Sequence, residues 1–322
     1  MSLSFIFAMA WKSVLISGAA LLLVALLRKR SASDRAALLR VGVLLLLLLP
    51  FVSVLLPALT IETAPAPAAA GAAAIPAMTA AELAALAAST PRETGSGWLQ
   101  VELAVALAYL AGVLLIALRL GAGLLTLRRW TRRGRQVAST QWIRALERQA
   151  PKQRSLPLLI WSEQVASPLS WGLRQPVILL DSASLERPDD ADAILAHEMA
   201  HVARRDWLAL VLARAAVALF WFNPLVWLME RQVLQNAEEA ADSHAVEQVE
   251  AVRYAEALVT CAQRCGRARV PANSIAGSGA SFARRVRAVL DGRPTPSGSS
   301  WTLAAIIGCI GLAAPVAALQ LV

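Results

Sequence analysis

The sequence predicts a mainly helical integral-membrane protein with one α+β domain outside the bilayer, and three observations predict it. Of 322 residues, 57% are hydrophobic and 16% charged, against about 25% charged in an average soluble protein. The apolar residues gather in runs long enough to cross a roughly 30 Å hydrocarbon layer, which takes about 20 helical residues. One long hydrophilic stretch, 128–300, precedes the last of these runs. With a mean hydropathy of +0.55, this composition argues against an ordinary soluble enzyme and against a disordered chain. The three cysteines, Cys261, Cys265 and Cys309, are too few for a disulfide scaffold and read as reduced packing residues.

Four segments read as membrane spans. They are 4–27, weakened by Lys12; 37–59, with the run Leu44 to Leu49 and Arg40 near its inner end; 99–120; and 301–322. Trp11, Trp98 and Trp301 lie near the expected interfaces, where indole rings are favoured. The net charge of +9 comes from arginines beside these runs, which reads as a topology signal rather than a nucleic-acid surface. Arg28, Lys29, Arg30 and Arg35 follow the first run, and Arg128, Arg129, Arg132, Arg133 and Arg135 follow the third. Arg284, Arg285, Arg287 and Arg293 precede the fourth, whereas loop 60–97 has one arginine against three glutamates. With the N-terminus outside, alternating spans put every basic loop on one side, the cytoplasm by the positive-inside rule. The first run carries its charges after the apolar stretch, the reverse of a secretory signal, and so reads as a retained anchor. Residues 64–90, rich in Ala and Pro, read as a low-complexity extracytoplasmic connection, too short for a compact sensor domain of about 50 residues. The expected division is therefore 1–127 with three spans, a cytoplasmic domain 128–300, and a last span 301–322.

Chemistry concentrates in the domain. Two of the three histidines fall in His197-Glu198-Met199-Ala200-His201, a pattern expected by chance on the order of once in a thousand such chains. Helical spacing puts both imidazoles on one face, where they can bind one zinc ion, with Glu198 placed to take a proton from its water. Two histidines merely packing on an amphipathic helix are the alternative, and the surroundings disfavour it. Pro188-Asp189-Asp190 starts a helix, expected to run unbroken from Ala191 to about Phe222. Asn223-Pro224 stops and restarts it, with Asn as cap and Pro at the first helical position. The next helix carries Glu238-Glu239-Ala240-Ala241-Asp242. A catalytic zinc needs a third protein ligand. Glu238 and Glu239 are both candidates, and Asp242, one turn after Glu238, is suited to hold a ligand histidine by its outer nitrogen. His244 is expected to be neither ligand nor donor. Residues 207–229 are apolar enough for a fifth span, but His201 and Glu238 must meet, so they form a hairpin lying on or dipping into the membrane. Residues 156–161 and 176–180 read as short strands, joined through Ser167-Pro168-Leu169-Ser170-Trp171-Gly172; one such strand can line a cleft and pair with an extended substrate, and a scaffold hairpin is the equal alternative.

The arrangement resembles the BlaR/MecR family of integral-membrane antirepressor metallopeptidases. The matching residues are Ser167-Pro168, Gly172, Pro176-Val177-Ile178-Leu179, the His197 to His201 pattern with Arg204-Arg205-Asp206, Asn223-Pro224-Leu225-Val226-Trp227, Glu238 to Asp242, and Arg284-Arg285-Val286. The resemblance covers the chain from the first span to the last. The resemblance implies a gluzincin-type zinc fold in which His197, His201 and Glu238 hold Zn2+, Glu198 is the general base and Asp242 supports a ligand. It settles Glu238 over Glu239, and it implies three spans before the domain and one after. Two departures stand out. Sensors of this family carry a penicillin-binding domain after the last span, whereas this chain ends at Val322, which reads as a short form without direct β-lactam acylation. The family also has Cys where this chain has Ala241.

The expected function is that of a zinc metalloendopeptidase of a bacterial inner membrane. Its expected substrate is a cytoplasmic protein, a transcriptional repressor or its own linker, in signal transduction. A separate sensor subunit or a homodimer is compatible with this; direct nucleic-acid binding is not expected, and the lipid bilayer is a partner by construction. A membrane quality-control peptidase and a non-catalytic, zinc-stabilised scaffold are the rival expectations.

Overall fold

A computed structural model describes residues 3–55, 59–60, 96–149, 156–267, 279–292, 307–308, 311 and 319–320. The expected fourth span, 301–322, and the connection 64–90 lie outside them or nearly so. The described chain is mostly helical, with a small sheet.

Helices α1 (Leu3–Leu26) and α2 (Ala32–Leu55) form an antiparallel pair, joined by a tight turn in which Ser31 Oγ accepts from the Asp34 N–H at 3.1 Å. Helix α3 (Ser96–Arg133) is longer than the expected third span. These three helices are long and apolar enough to cross a membrane. The leucines of α3 at 103, 107, 110, 114 and 118 are exposed, as lipid-facing side chains would be.

Beyond α3 the chain alternates between helices and short strands: β1 (Arg135–Gln136), α4 (Thr140–Gln149), β2 (Leu158–Trp161), β3 (Leu169–Trp171) and β4 (Val177–Leu180). The sheet order is β1-β2-β4-β3. Strands β2 and β4 pair in parallel, with Leu158 opposite Val177, while β3 pairs antiparallel to β4 on the edge. The joining segment thus contributes the edge strand itself, and the two expected strands are not a hairpin. Gly172 makes this possible. Its φ of +93° turns the chain from β3 towards β4, and a Cβ there would stand 2.9 Å from the Gln175 carbonyl. The period-2 alternation sorts the side chains. Leu159, Ile178 and Leu180 pack under Trp142 of α4 and Leu195 and Met199 of the next long helix, whereas Val177 and Leu179 face Trp130 of α3 and Trp171. Trp142 is fully buried; each large side chain so placed stabilises by about 1.5–3 kcal/mol.

Helix α5 (Ala191–Arg204) follows a 3-10 turn at Pro188–Asp190, and α6 (Asp206–Leu219) follows α5 directly. The unbroken helix expected from Ala191 to Phe222 does not form. Arg205 adopts φ 55°, ψ 40°, a left-handed conformation that ends α5 with no glycine or proline to announce it. The gain is at Asp206, whose carboxylate is thereby turned back towards α5.

Helix α7 (Pro224–Gln248) starts as the sequence indicates: Asn223 Oδ1 accepts from the Leu225 N–H at 2.9 Å, and Pro224 occupies the first turn. The arms from Asp206 to Leu219 and from Pro224 to Glu238 are each about 21 Å long at 1.5 Å per residue, so the hairpin returns Glu238 to the level it left. Its tip is pinned. Asn223 Nδ2 donates to Ser13 Oγ at 3.1 Å and Ser17 Oγ at 3.3 Å, Tyr109 O–H donates to the Leu219 carbonyl at 3.0 Å, and Trp221 sits against Gly112. Ser13 and Ser17 lie roughly 12–18 Å along α1 from Phe5, so the tip is level with the middle of that helix. Leu38, Leu39, Leu46 and Leu49 of α2 share one buried cluster with Ala213, Ala216 and Val217 of α6 and Val226, Met229 and Val233 of α7. Helices α8 (Ala251–Arg267) and α9 (Gly279–Asp291) then pack against α5 and α7.

Candidate metal centre

Helix α5 presents His197 and His201 one turn apart, and α7 brings Glu238 against them. The two Nε2 atoms lie 3.2 Å apart. Glu238 Oε2 is 3.7 Å from His197 Nε2, and its Oε1 is 3.6 Å from His201 Nε2. Among the described residues, these three side chains form the one group whose potential ligand atoms all lie within 4.8 Å of one another.

The outer nitrogens decide which atoms face inward. His201 Nδ1 lies 2.7 Å from Asp206 Oδ2, which can only accept, so Nδ1 carries the proton and Nε2 the lone pair. At His197, Nδ1 lies 2.8 Å from Tyr254 Oη. The Tyr254 O–H donates to Asp242 Oδ1 at 2.6 Å, so its oxygen accepts from His197 Nδ1 and again leaves Nε2 bare. Two imidazole lone pairs and a carboxylate thus converge on one point, an arrangement that favours a cation among its members. Nitrogen and oxygen donors of this kind fit a divalent metal.

The supporting charges are strongly coupled. Burial would raise the Asp242 carboxyl, but the Arg285 guanidinium and His197 hold it far below the usual carboxylate range. Arg285 Nε and Nη2 donate to Asp242 at 2.7 and 2.8 Å, and its Nη1 lies 2.8 Å from Glu238 Oε2, so one guanidinium from α9 spans both carboxylates. Its own pKa is raised by that company despite its burial. Burial and the Asp242 charge push the Tyr254 phenol well upward, which keeps it a donor. Burial lowers His201, but Asp206, Glu238 and Glu198 together outweigh this and raise it. Burial likewise opposes, and the bonds to His201 and Arg204 overcome, so Asp206 stays ionised below its ordinary value.

Each expected site residue has a definite place. His197, His201 and Glu238 come together. Glu198 is buried beside them on α5, 5% exposed. Asp242 is 3.3 Å from His197 Nδ1, with Tyr254 interposed. Glu239 turns away, pairing with Arg35 of α2 at 2.8 Å, and His244 is exposed and sits 3.5 Å from Glu247. Sequence reasoning gave Asp206, Tyr254, Arg285 and Arg40 no role at the metal centre. Asp206, an acid five residues after His201, and Arg285 did carry a signal, since both fall in the motifs of the family resemblance. The edge strand β3 lies alongside α5, the helix that carries both histidines.

A family model described as BlaR1 peptidase M56 matches residues 4–289. The methicillin resistance mecR1 protein of Staphylococcus aureus is 25% identical over 163 residues, covering 47% of this chain and 28% of that protein. The regulatory protein BlaR1 of Bacillus licheniformis is 30% identical over 86 residues, 26% of this chain and 14% of that protein. The matched regions thus span less than a third of either relative.

Proposed function

The chain belongs to the BlaR1 peptidase M56 family, and from that premise we propose that it is a zinc-dependent endopeptidase of the bacterial inner membrane, of the gluzincin type, hydrolysing a peptide bond in a cytoplasmic regulatory protein. One observation carries the reading: the convergence of His197, His201 and Glu238 beside buried Glu198 in a peptidase-family membrane protein.

In this reading His197 Nε2, His201 Nε2 and a Glu238 oxygen hold the metal. Bound zinc would supply a Lewis acid for the scissile carbonyl and for the attacking water. Glu198 takes the proton from that water onto its carboxylate and passes it to the leaving amine nitrogen, the work of a general base and then a general acid. Asp242, Tyr254 and Asp206 hold both rings in the tautomer that leaves Nε2 free. The backbone of Leu169–Trp171 offers an extended substrate an unpaired strand edge. Arginines at the ends of the spans, among them Arg28, Arg30, Arg128, Arg129, Arg132 and Arg133, support a cytoplasmic placement of the domain, and the hairpin tip lies at membrane depth. The relatives' names, a regulatory protein and a methicillin-resistance protein, favour a role in signalling, and a transcriptional repressor is the substrate that the family resemblance suggests.

The test compares wild type with Glu198→Gln in native membranes, reading new protein N-termini by mass spectrometry with metal content in parallel. Retained zinc with the loss of one or a few cytoplasmic cleavages is the expected result. Loss of dozens of membrane-protein cleavages would indicate quality control, and cleavages confined to extracytoplasmic proteins would refute the placement. Retained zinc with unchanged cleavage and unchanged biological output would leave a scaffold.

A further inference from the structure

The groups that hold the ligand histidines extend into a membrane-length helix. Arg40, near the start of α2, donates from Nη1 to the Arg204 carbonyl at 3.1 Å. That carbonyl belongs to the last turn of α5 and has no partner in its own helix. The Nη2 of Arg40 pairs with Asp206 Oδ1. The other oxygen of Asp206 accepts from His201 Nδ1 at 2.7 Å and from Arg204 Nη2 at 2.5 Å. Arg204 Nη2 also donates to the Ala237 carbonyl at 2.9 Å, one residue before Glu238. Asp206 is therefore a buried hub, 7% exposed, touching the ligand histidine directly and, through Arg204, the backbone one residue before Glu238. Arg40 is the hub's hydrogen-bond partner from outside α5 and α6. A second arginine of the same helix, Arg35, holds Glu239 at 2.8 Å, on the other side of Glu238.

We propose that Arg40 is a positioning residue of the metal centre: it fixes Asp206, which sets the ring of His201, and so makes α2 part of the structure that holds the ligands. This rests on the reading of His197, His201 and Glu238 as metal ligands. An arginine serving only as an interface anchor would extend its head group into water. Arg40 instead spends two of its nitrogens on acceptors of the domain, a forked geometry that lysine cannot reproduce. The arrangement also gives α2 a direct lever. Any shift of α2 against α5 loads the contacts of Arg40 with Asp206 and the Arg204 carbonyl, and by linkage metal binding holds α2 in place to the same degree.

The test uses the full-length protein in detergent with cobalt(II) as probe, reading its affinity by chelator competition and its visible absorption bands. Arg40→Gln is expected to bind cobalt about 3–10-fold more weakly, less than the roughly 10–100-fold for losing a group bonded directly to a metal-bound histidine, with shifted bands. Arg40→Lys, which keeps the charge, should fall between. Arg148→Gln, which removes a surface pair with Asp192, should change neither reading. A folded Arg40→Gln with wild-type affinity and spectrum overturns the proposal. Should Arg40→Gln fail to fold, Arg40→Lys decides: wild-type behaviour there overturns the proposal, and weaker binding with shifted bands supports it. A wild-type protein that takes up no cobalt overturns the metal reading itself and the proposal with it, whereas normal wild-type binding with an unchanged variant overturns the proposal alone.

Discussion

Replacing Tyr254 by Phe removes one oxygen and leaves the ring that fills its buried site, 2% exposed. That oxygen makes two bonds at once, donating 2.6 Å to Asp242 and accepting 2.8 Å from His197 Nδ1. A hydrogen bond to a charged group contributes about 1.5–3 kcal/mol. Part of this returns, because Asp242 keeps both Arg285 bonds and already stands 3.3 Å from His197 Nδ1, close enough to accept directly after a small ring rotation. The net loss should be about 1–2 kcal/mol, which is about 5–30-fold in a binding constant. It should appear in metal affinity, since the bond that is lost orients the ligand ring. The assay is chelator competition for zinc with wild type and Tyr254→Phe in detergent, alongside thermal melting of the metal-free proteins. A Kd unchanged within twofold would refute the reasoning and leave Asp242 alone as the group that orients His197.

Three further outcomes follow from the geometry. Stripping the metal with a chelator should lower Tm, and zinc should restore it, by about 4 kcal/mol at a thousand times Kd; Glu238→Ala should abolish this response while Glu239→Ala keeps it. Gly112→Val should destabilise the fold by about 1–3 kcal/mol in chemical unfolding, because a Cβ at 112 would stand 2.3 Å from the Trp221 ring, and Trp221→Ala should recover part of the loss. Arg205→Gly should be at least as stable as wild type by thermal melting, since the left-handed conformation costs an ordinary residue about 1–2 kcal/mol and glycine gives back only about 0.5–1 kcal/mol of that in chain entropy. Arg205→Val should be clearly less stable.

The parts of this molecule that could be read from sequence are those set by local periodicity. Apolar length announced α1 to α3, Asn223-Pro224 announced the restart of α7, and i, i+4 spacing placed His197 with His201 and Glu238 with Asp242. The rest depends on contacts between distant elements. Arg205 ends α5 because Asp206 finds His201 and Arg40, which no local propensity encodes. Leu169–Trp171 becomes a strand because β4 offers it a partner edge. Tyr254 and Arg285 lie 12 and 43 residues from Asp242, on amphipathic helices where an aromatic or an arginine is unremarkable.

Glu238 can reach the histidines only if the chain leaves Asp206, reverses and comes back, and the reversal takes place among the spans. The tip of that hairpin is held by Ser13 and Ser17 of α1 and by Tyr109 and Gly112 of α3, and its arms share their core with leucines of α2. Van der Waals packing and a few hydrogen bonds, rather than expulsion of water, hold such an assembly together in lipid. The helix carrying Glu238 is thus registered against the helix carrying the two histidines by membrane-length helices, and α2 also holds Asp206 and Glu239 directly. The geometry of the trio and the packing of the spans are therefore one property of the molecule, and a change in either has to be felt by the other.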